Sequence, residues 1–170
     1  YLGDLGNLPT LLNNLNVKPS GLPNYSLAHT NGIGMGWNGP YMNSDFFSDG
    51  YLEDAWGNAY SYNSATGQIT SFGPNGQPGG GDDLVYPESP EVLSGALQVT
   101  VKAVDIGNPN QVRSLNQDTA KVIIYFSQNG TEQSAEAQWN GSAFDTTPWA
   151  NPLSAALHAV YAEGKNGPLP

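Results

Sequence analysis

The clearest alternation of apolar and polar positions lies in the second half of the chain. Leu97, Val99, Val101 and Ala103 are interleaved with Gln98, Thr100 and Lys102, the two-residue period of a strand with one buried face. Further strands are expected over residues 121–126, 133–139, 142–145 and 155–162. Asn129-Gly130 and Asn140-Gly141 fall between them, and Asn-Gly supplies the positive φ angles of a tight hairpin turn. About five strands at roughly ten-residue spacing, with little helix, predict a small antiparallel β-sandwich.

The first half is patterned differently. Leu8, Leu11, Leu12 and Leu15 follow the i, i+3, i+4, i+7 spacing of an amphipathic helix, with Asn7 as N-cap and Pro9 in the first turn. Pro19 and Gly21 end it. Residues 20–50 are rich in Gly, Asn, Pro, Ser and aromatics, the composition of an ordered loop held by its rings. Residues 58–62 and 68–72 are short β-type runs either side of Asn63-Ser64-Ala65-Thr66-Gly67, a hairpin with a five-residue loop. The segment Tyr86-Pro87-Glu88-Ser89-Pro90-Glu91 has no hydrophobic period and reads as a stiff linker. A boundary near residue 86 therefore divides residues 1–86 from residues 87–170.

Composition agrees with a loop-rich, β-leaning protein: 21 Gly and 13 Pro accompany only 12% charged residues. The net charge of -10 argues against nucleic acid and anionic membrane surfaces, which need clustered Lys and Arg. The distribution of charge is more informative. No Lys or Arg occurs between Lys18 and Lys102, a stretch that carries Asp45, Asp49, Glu53, Asp54, Asp82, Asp83, Glu88 and Glu91. These acids face either solvent or a bound cation. With no Cys, disulfides, thiolate metal sites and Cys nucleophiles are excluded. No apolar run approaches the roughly 18 residues of a membrane span. The chain begins at Tyr1, which suggests a truncated or processed product.

One loop concentrates oxygen ligands. In Ser71-Phe72-Gly73-Pro74-Asn75-Gly76-Gln77-Pro78-Gly79-Gly80-Gly81-Asp82-Asp83, an amide and two adjacent carboxylates sit among glycines that let the backbone curl inward. Calcium takes about six to eight oxygens from carboxylates, amides, carbonyls and water, so a calcium loop and a plain flexible turn both fit. The EF-hand pattern is absent.

The same residues carry a resemblance. Gly36-Trp37-Asn38-Gly39-Pro40-Tyr41, then Asp54-Ala55-Trp56-Gly57-Asn58-Ala59-Tyr60, then the loop above resemble, in that order, the major pseudopilin of type II secretion systems (general secretion pathway protein G-like) over roughly residues 1–85. The resemblance implies an α+β, pilin-like head, with a truncated N-terminal helix, a small antiparallel sheet and a calcium loop. It implies a structural, non-enzymatic subunit that polymerises with itself and with minor pseudopilins into a short fibre for protein secretion. It also implies a periplasmic location, anchored in the inner membrane through a missing N-terminal helix. The calcium ligands it implies are the carbonyls of Phe72 and Gln77 and the side chains of Asn75, Asp82 and Asp83. Asn75 stands where the family has Asp, so one ligand charge is lost and weaker calcium binding is expected. Ala55 and Ala59 also replace frequent prolines.

Residues 87–170 have no counterpart in that family. Their strand pattern resembles prealbumin-like and immunoglobulin-like modules, an analogy at the level of fold alone. An extracytoplasmic carbohydrate-binding or adhesive module using Trp139 and Trp149, and a type IV minor pilin, are the alternatives. Catalysis has little support: His29 and His158 are far apart, there is no Gly-x-Ser-x-Gly elbow, and a carboxylate pair drawn from Asp45, Asp49, Glu53 and Asp54 has no defined spacing. The four tryptophans are more commonly loop or core anchors than a sugar platform.

Overall fold

The structure is a computed structural model that describes residues 1–28, 32–42, 50–90, 92–105, 107–150 and 152–165. In the first half the ordered elements are short. A one-turn helix α1 (Leu2–Leu5) is followed by a 3-10 turn at Leu12–Leu15, then β1 (Ser26–Ala28), β2 (Ile33–Met35), β3 (Ser61–Asn63), β4 (Gln68–Ser71) and β5 (Leu84–Tyr86). In the second half follow β6 (Ser94–Gly95), β7 (Gln98–Val99), β8 (Lys102–Asp105), β9 (Asn108–Ser114), β10 (Ala120–Gln128), β11 (Thr131–Glu136), β12 (Gln138–Trp139), β13 (Phe144–Asp145), β14 (Leu153–Ser154) and β15 (His158–Gly164).

The amphipathic helix expected over residues 8–15 is not continuous. Only Leu12–Leu15 turns, as a 3-10 segment. An eight-residue stretch is below the length at which propagation repays nucleation, and Asn13, Asn14 and Asn16 compete for backbone hydrogen bonds. Its leucines also do not form one buried stripe, since Leu12 is buried while Leu11 is 63% exposed. The described residues thus form small antiparallel sheets with very little helix, and the helix-plus-sheet arrangement of a pilin-like head is not seen among them.

The hairpin is present, with Ser61 opposite Thr70, Tyr62 opposite Ile69 and Asn63 opposite Gln68. β5 adds to β4 as a third strand, so the acidic loop leaves the sheet at Ser71 and returns to it at Leu84. Within residues 20–50 the described part contains the β1–β2 pair and its expected aromatic anchors. The Trp37 indole donates to the Asn14 carbonyl and packs edge-on to Tyr41. The Tyr41 hydroxyl donates to the Asp4 carboxylate, and burial pushes its pKa up to about 12.

In the second half, β10 runs between β11 and β15. Ala120, Val122 and Ile124 on one face of β10 are fully buried and meet Val101, Ala103, Leu115, Ala137, Phe144 and Leu153 in a single apolar core. Asn129-Gly130 makes the expected turn between β10 and β11, with φ angles of 52° and 73°. The expected strands all appear in part, but as sheets of two or three strands, so a closed two-sheet sandwich is not drawn. β8 takes up the end of the expected alternation, with Ala103 buried, whereas β9 lies outside the expected strands, because every one of its residues is exposed and leaves no burial period in the sequence.

The two halves touch through α1. Ser127 lies on the face of β10 opposite Val122 and Ile124, and its hydroxyl donates to the Asp4 carbonyl at 2.8 Å. The same carbonyl accepts the Gly36 N–H, and the Leu5 carbonyl accepts the N–H of Gly130. Gly6 closes α1 at φ 75°, where an added Cβ would lie 1.8 Å from the Ser127 carbonyl oxygen. No other residue fits that approach.

Candidate cation loop

The acidic loop is built outward from the Asp54-x-Trp56-Gly57-Asn58 turn. The Asp54 carboxylate is buried at 9% exposure. One oxygen accepts the Ser71 hydroxyl at 2.6 Å, and the other accepts the N–H groups of Trp56 and Asn58 at 3.0 and 2.8 Å. The Ser71 hydroxyl, followed by these N–H groups, holds the Asp54 carboxyl below its ordinary value. These three donors tie Asp54 to its own turn and to β4 as an acceptor. Asp45, Asp49 and His29 lie outside the described residues, and Glu53 is exposed on a bridge to Ala59.

Ser71 and Asn58 pass this order to the loop. The Ser71 oxygen accepts the Gly73 N–H at 3.2 Å, and the Asn58 amide donates to the Gly73 carbonyl at 2.8 Å. Gly73–Asn75 form a 3-10 turn, and Gly73 has φ 62°. A Cβ on Gly73 would lie 2.6 Å from the Asp82 carbonyl oxygen and 2.9 Å from its carboxylate. The turn is therefore packed directly on Asp82.

The five residues expected to hold a cation take up distinct positions. Asn75 and Asp82 meet, with the Asn75 amide nitrogen donating to the Asp82 carboxylate at 2.8 Å. The Asn75 oxygen accepts the Gln77 N–H at 2.6 Å. One Asp83 oxygen accepts the Gly79 N–H at 2.8 Å, whereas Asp83 Oδ1 is buried without a hydrogen-bond partner. Phe72, half-buried, precedes the 3-10 turn, and Gln77 is exposed. Among the described residues no three His, Cys, Asp or Glu side chains gather, so a cation here would depend on Asn75 and backbone carbonyls as well as the two acids. The spacing of the motif gave no sign of Asp54, Asn58 and Ser71 as the loop's supports; their hydrogen bonds become visible only when β4 lies beside the Asp54 turn.

The remaining chemical candidates are occupied elsewhere. Trp139 and Trp149 pack against the apolar core, Trp139 on Phe144 with ring centroids 5.2 Å apart, and the Trp149 indole donates to the Glu136 carbonyl. Trp56 is the exposed exception, at 52%. His158, half-buried beside Phe126, has its pKa lowered by burial.

Residues 4–86 match the family model of type II secretion system (T2SS), protein G. No curated protein and no solved structure matches the chain. The matched segment contains the Asp54 turn, the whole acidic loop and all three strands of its sheet, and stops at the last residue of β5. Among the described residues, no helix is long and apolar enough to cross a membrane.

Proposed function

We propose, from the match of residues 4–86 to the family model of type II secretion system protein G, that this chain is a structural pseudopilin subunit of a secretion fibre. The observation that carries this is the match itself, which runs from residue 4 to residue 86. The subunit assembles with other pseudopilins outside the cytoplasm, at the inner membrane and exposed to the periplasm. It works by occupying a place in a polymer and not by turning over a substrate.

We further propose that the loop holds calcium. Asp83 Oδ1, buried without a partner, supports this, because a desolvated carboxylate oxygen lacking a donor costs stability that a cation would return. No Lys or Arg lies on the stretch between Lys18 and Lys102 that carries the loop. The residues suited to hold the ion are Asp82 and Asp83 through their carboxylates, Asn75 through its amide oxygen, and Phe72 and Gln77 through their carbonyls. Asn75 would first turn its amide over, giving up its bonds to Asp82 and to the Gln77 N–H. A divalent ion would supply the positive charge that lets the two adjacent acids approach each other.

Two experiments test these proposals separately. Removal of the chain from its own cell should leave secreted proteins trapped inside the outer membrane; undiminished release refutes the pseudopilin role. For the ion, ligand-linked stability is RT ln(1 + [L]/Kd), about 2.7 kcal/mol at 100 times Kd. For a chain of this size that raises the melting temperature by roughly 5–11 °C over the value in chelator. Identical melting in calcium and in chelator refutes the calcium site.

A further inference from the structure

Asp54, Asn58 and Ser71 lie outside the five expected ligands, yet the hydrogen bonds of the loop run back to them. Asp54 fixes the Ser71 hydroxyl and the Asn58 backbone. Ser71 then holds the Gly73 N–H, and Asn58 holds the Gly73 carbonyl. Gly73 is thus gripped on both sides of its peptide backbone by two side chains that answer to one buried carboxylate. The Asn58 amide oxygen also stands against Gly76, where an added Cβ would meet it at 2.7 Å, so the same side chain borders both ends of the Gly73–Asn75 turn. That turn carries Asn75, and Gly73 abuts Asp82.

We propose that Asp54, through Ser71 and Asn58, is a positioning residue for cation binding: the three clamp Gly73, and the clamped turn holds Asn75 beside Asp82, where both can reach one divalent cation once the Asn75 amide turns. This rests on the calcium site proposed above and adds residues that touch no cation themselves. A flexible glycine-rich loop would have to be ordered on binding, and the entropic cost would weaken affinity. A turn already fixed by a buried carboxylate avoids most of that cost. The clamp also gives the Asp54-x-Trp56-Gly57-Asn58 block a physical task, since Gly57 lets the chain turn sharply enough for Asp54 to cap both Trp56 and Asn58.

The test is calcium titration calorimetry on the full 170-residue chain, stripped with chelator, for the unaltered protein and for Ser71→Ala, Asn58→Ala and Ser71→Thr, with melting of each variant measured in chelator. Residues that orient metal ligands typically change affinity by about 10- to 100-fold. Ser71→Ala and Asn58→Ala should weaken calcium binding by at least about 10-fold in a protein that remains folded at the titration temperature. Ser71→Thr, which keeps the hydroxyl, should restore most of the affinity. Because both side chains act on Gly73, the double variant should lose less than the product of the single losses. Folded alanine variants with undiminished affinity overturn the clamp while leaving the calcium site intact. If the alanine variants do not fold, Ser71→Thr and amide exchange at Gly73 in the calcium-free protein decide it: a Gly73 N–H that exchanges as freely as an unbonded one overturns it. Absence of binding by the unaltered chain overturns the calcium site itself.

Discussion

Replacing Asn75 with Asp separates the calcium-free from the calcium-loaded loop. In the structure Asn75 Nδ2 donates to Asp82 Oδ1 at 2.8 Å. Asn75→Asp removes this donor and places a second negative oxygen in its position. Two unit charges at that distance repel by about 1.5 kcal/mol even at the dielectric of water, and the lost hydrogen bond adds about 1 kcal/mol. Asn75 is exposed and Asp82 half-buried, so solvent offsets part of this, which brings the expected cost to about 1.5–2.5 kcal/mol. In chelator the melting temperature should therefore fall by roughly 3–10 °C. A bound divalent cation removes this repulsion, so the same free energy reappears as affinity, at tenfold for every 1.4 kcal/mol. Calcium should bind Asn75→Asp about 10- to 70-fold more tightly. Parallel melts in chelator and in calcium, together with titration calorimetry, measure both halves of the effect. A variant that is as stable as the parent in chelator, or that gains no calcium affinity, refutes the assignment of Asn75 and Asp82 to one site.

Four further outcomes follow from the geometry. Asp83→Ala should abolish the calcium-dependent rise in melting temperature and change melting in chelator much less, because it also removes the unpartnered Asp83 Oδ1. Gly6→Ala, with a Cβ 1.8 Å from the Ser127 carbonyl oxygen and φ of 75°, should destabilise the protein by about 2–4 kcal/mol in urea unfolding; a neutral result means that α1 does not pack on β10. Ile124→Ala, at a fully buried position, should cost about 2–5 kcal/mol by the same measurement. Asp145 is held below its ordinary value of 3.8 by the Thr147 hydroxyl, then by the Thr147 N–H and the amides of Gln98 and Asn140. Its folded pKa is depressed, so its contribution is complete above about pH 4 and is lost as the pH falls through the folded value; Asp145→Asn should flatten the acid limb of stability against pH, and an unchanged limb refutes this.

The sequence revealed those features whose causes are local. Asn129-Gly130 predicts its own turn because positive φ is a property of those two residues, and β10 is visible as a short apolar run over residues 121–126 that ends at that turn. The acidic loop could be located from its composition and its family resemblance. By contrast, Leu8, Leu11, Leu12 and Leu15 mimic a helix whose period is not used, since Leu11 stays exposed and the turn shortens to 3-10. β9 has no burial period to read, since all its residues are exposed.

Two features required distant parts of the chain to meet. The Gly73 clamp unites Asp54, Asn58 and Ser71, which become neighbours only when the Asp54 turn folds against β4. The junction of the halves depends on Asp4 meeting Ser127 across 123 positions. Local propensity and charge fix where acids and glycines gather into a loop and where a chain can turn. Hydrogen bonds between residues remote in sequence leave no period behind, because a buried donor needs only an acceptor within reach and not one at any particular spacing along the chain.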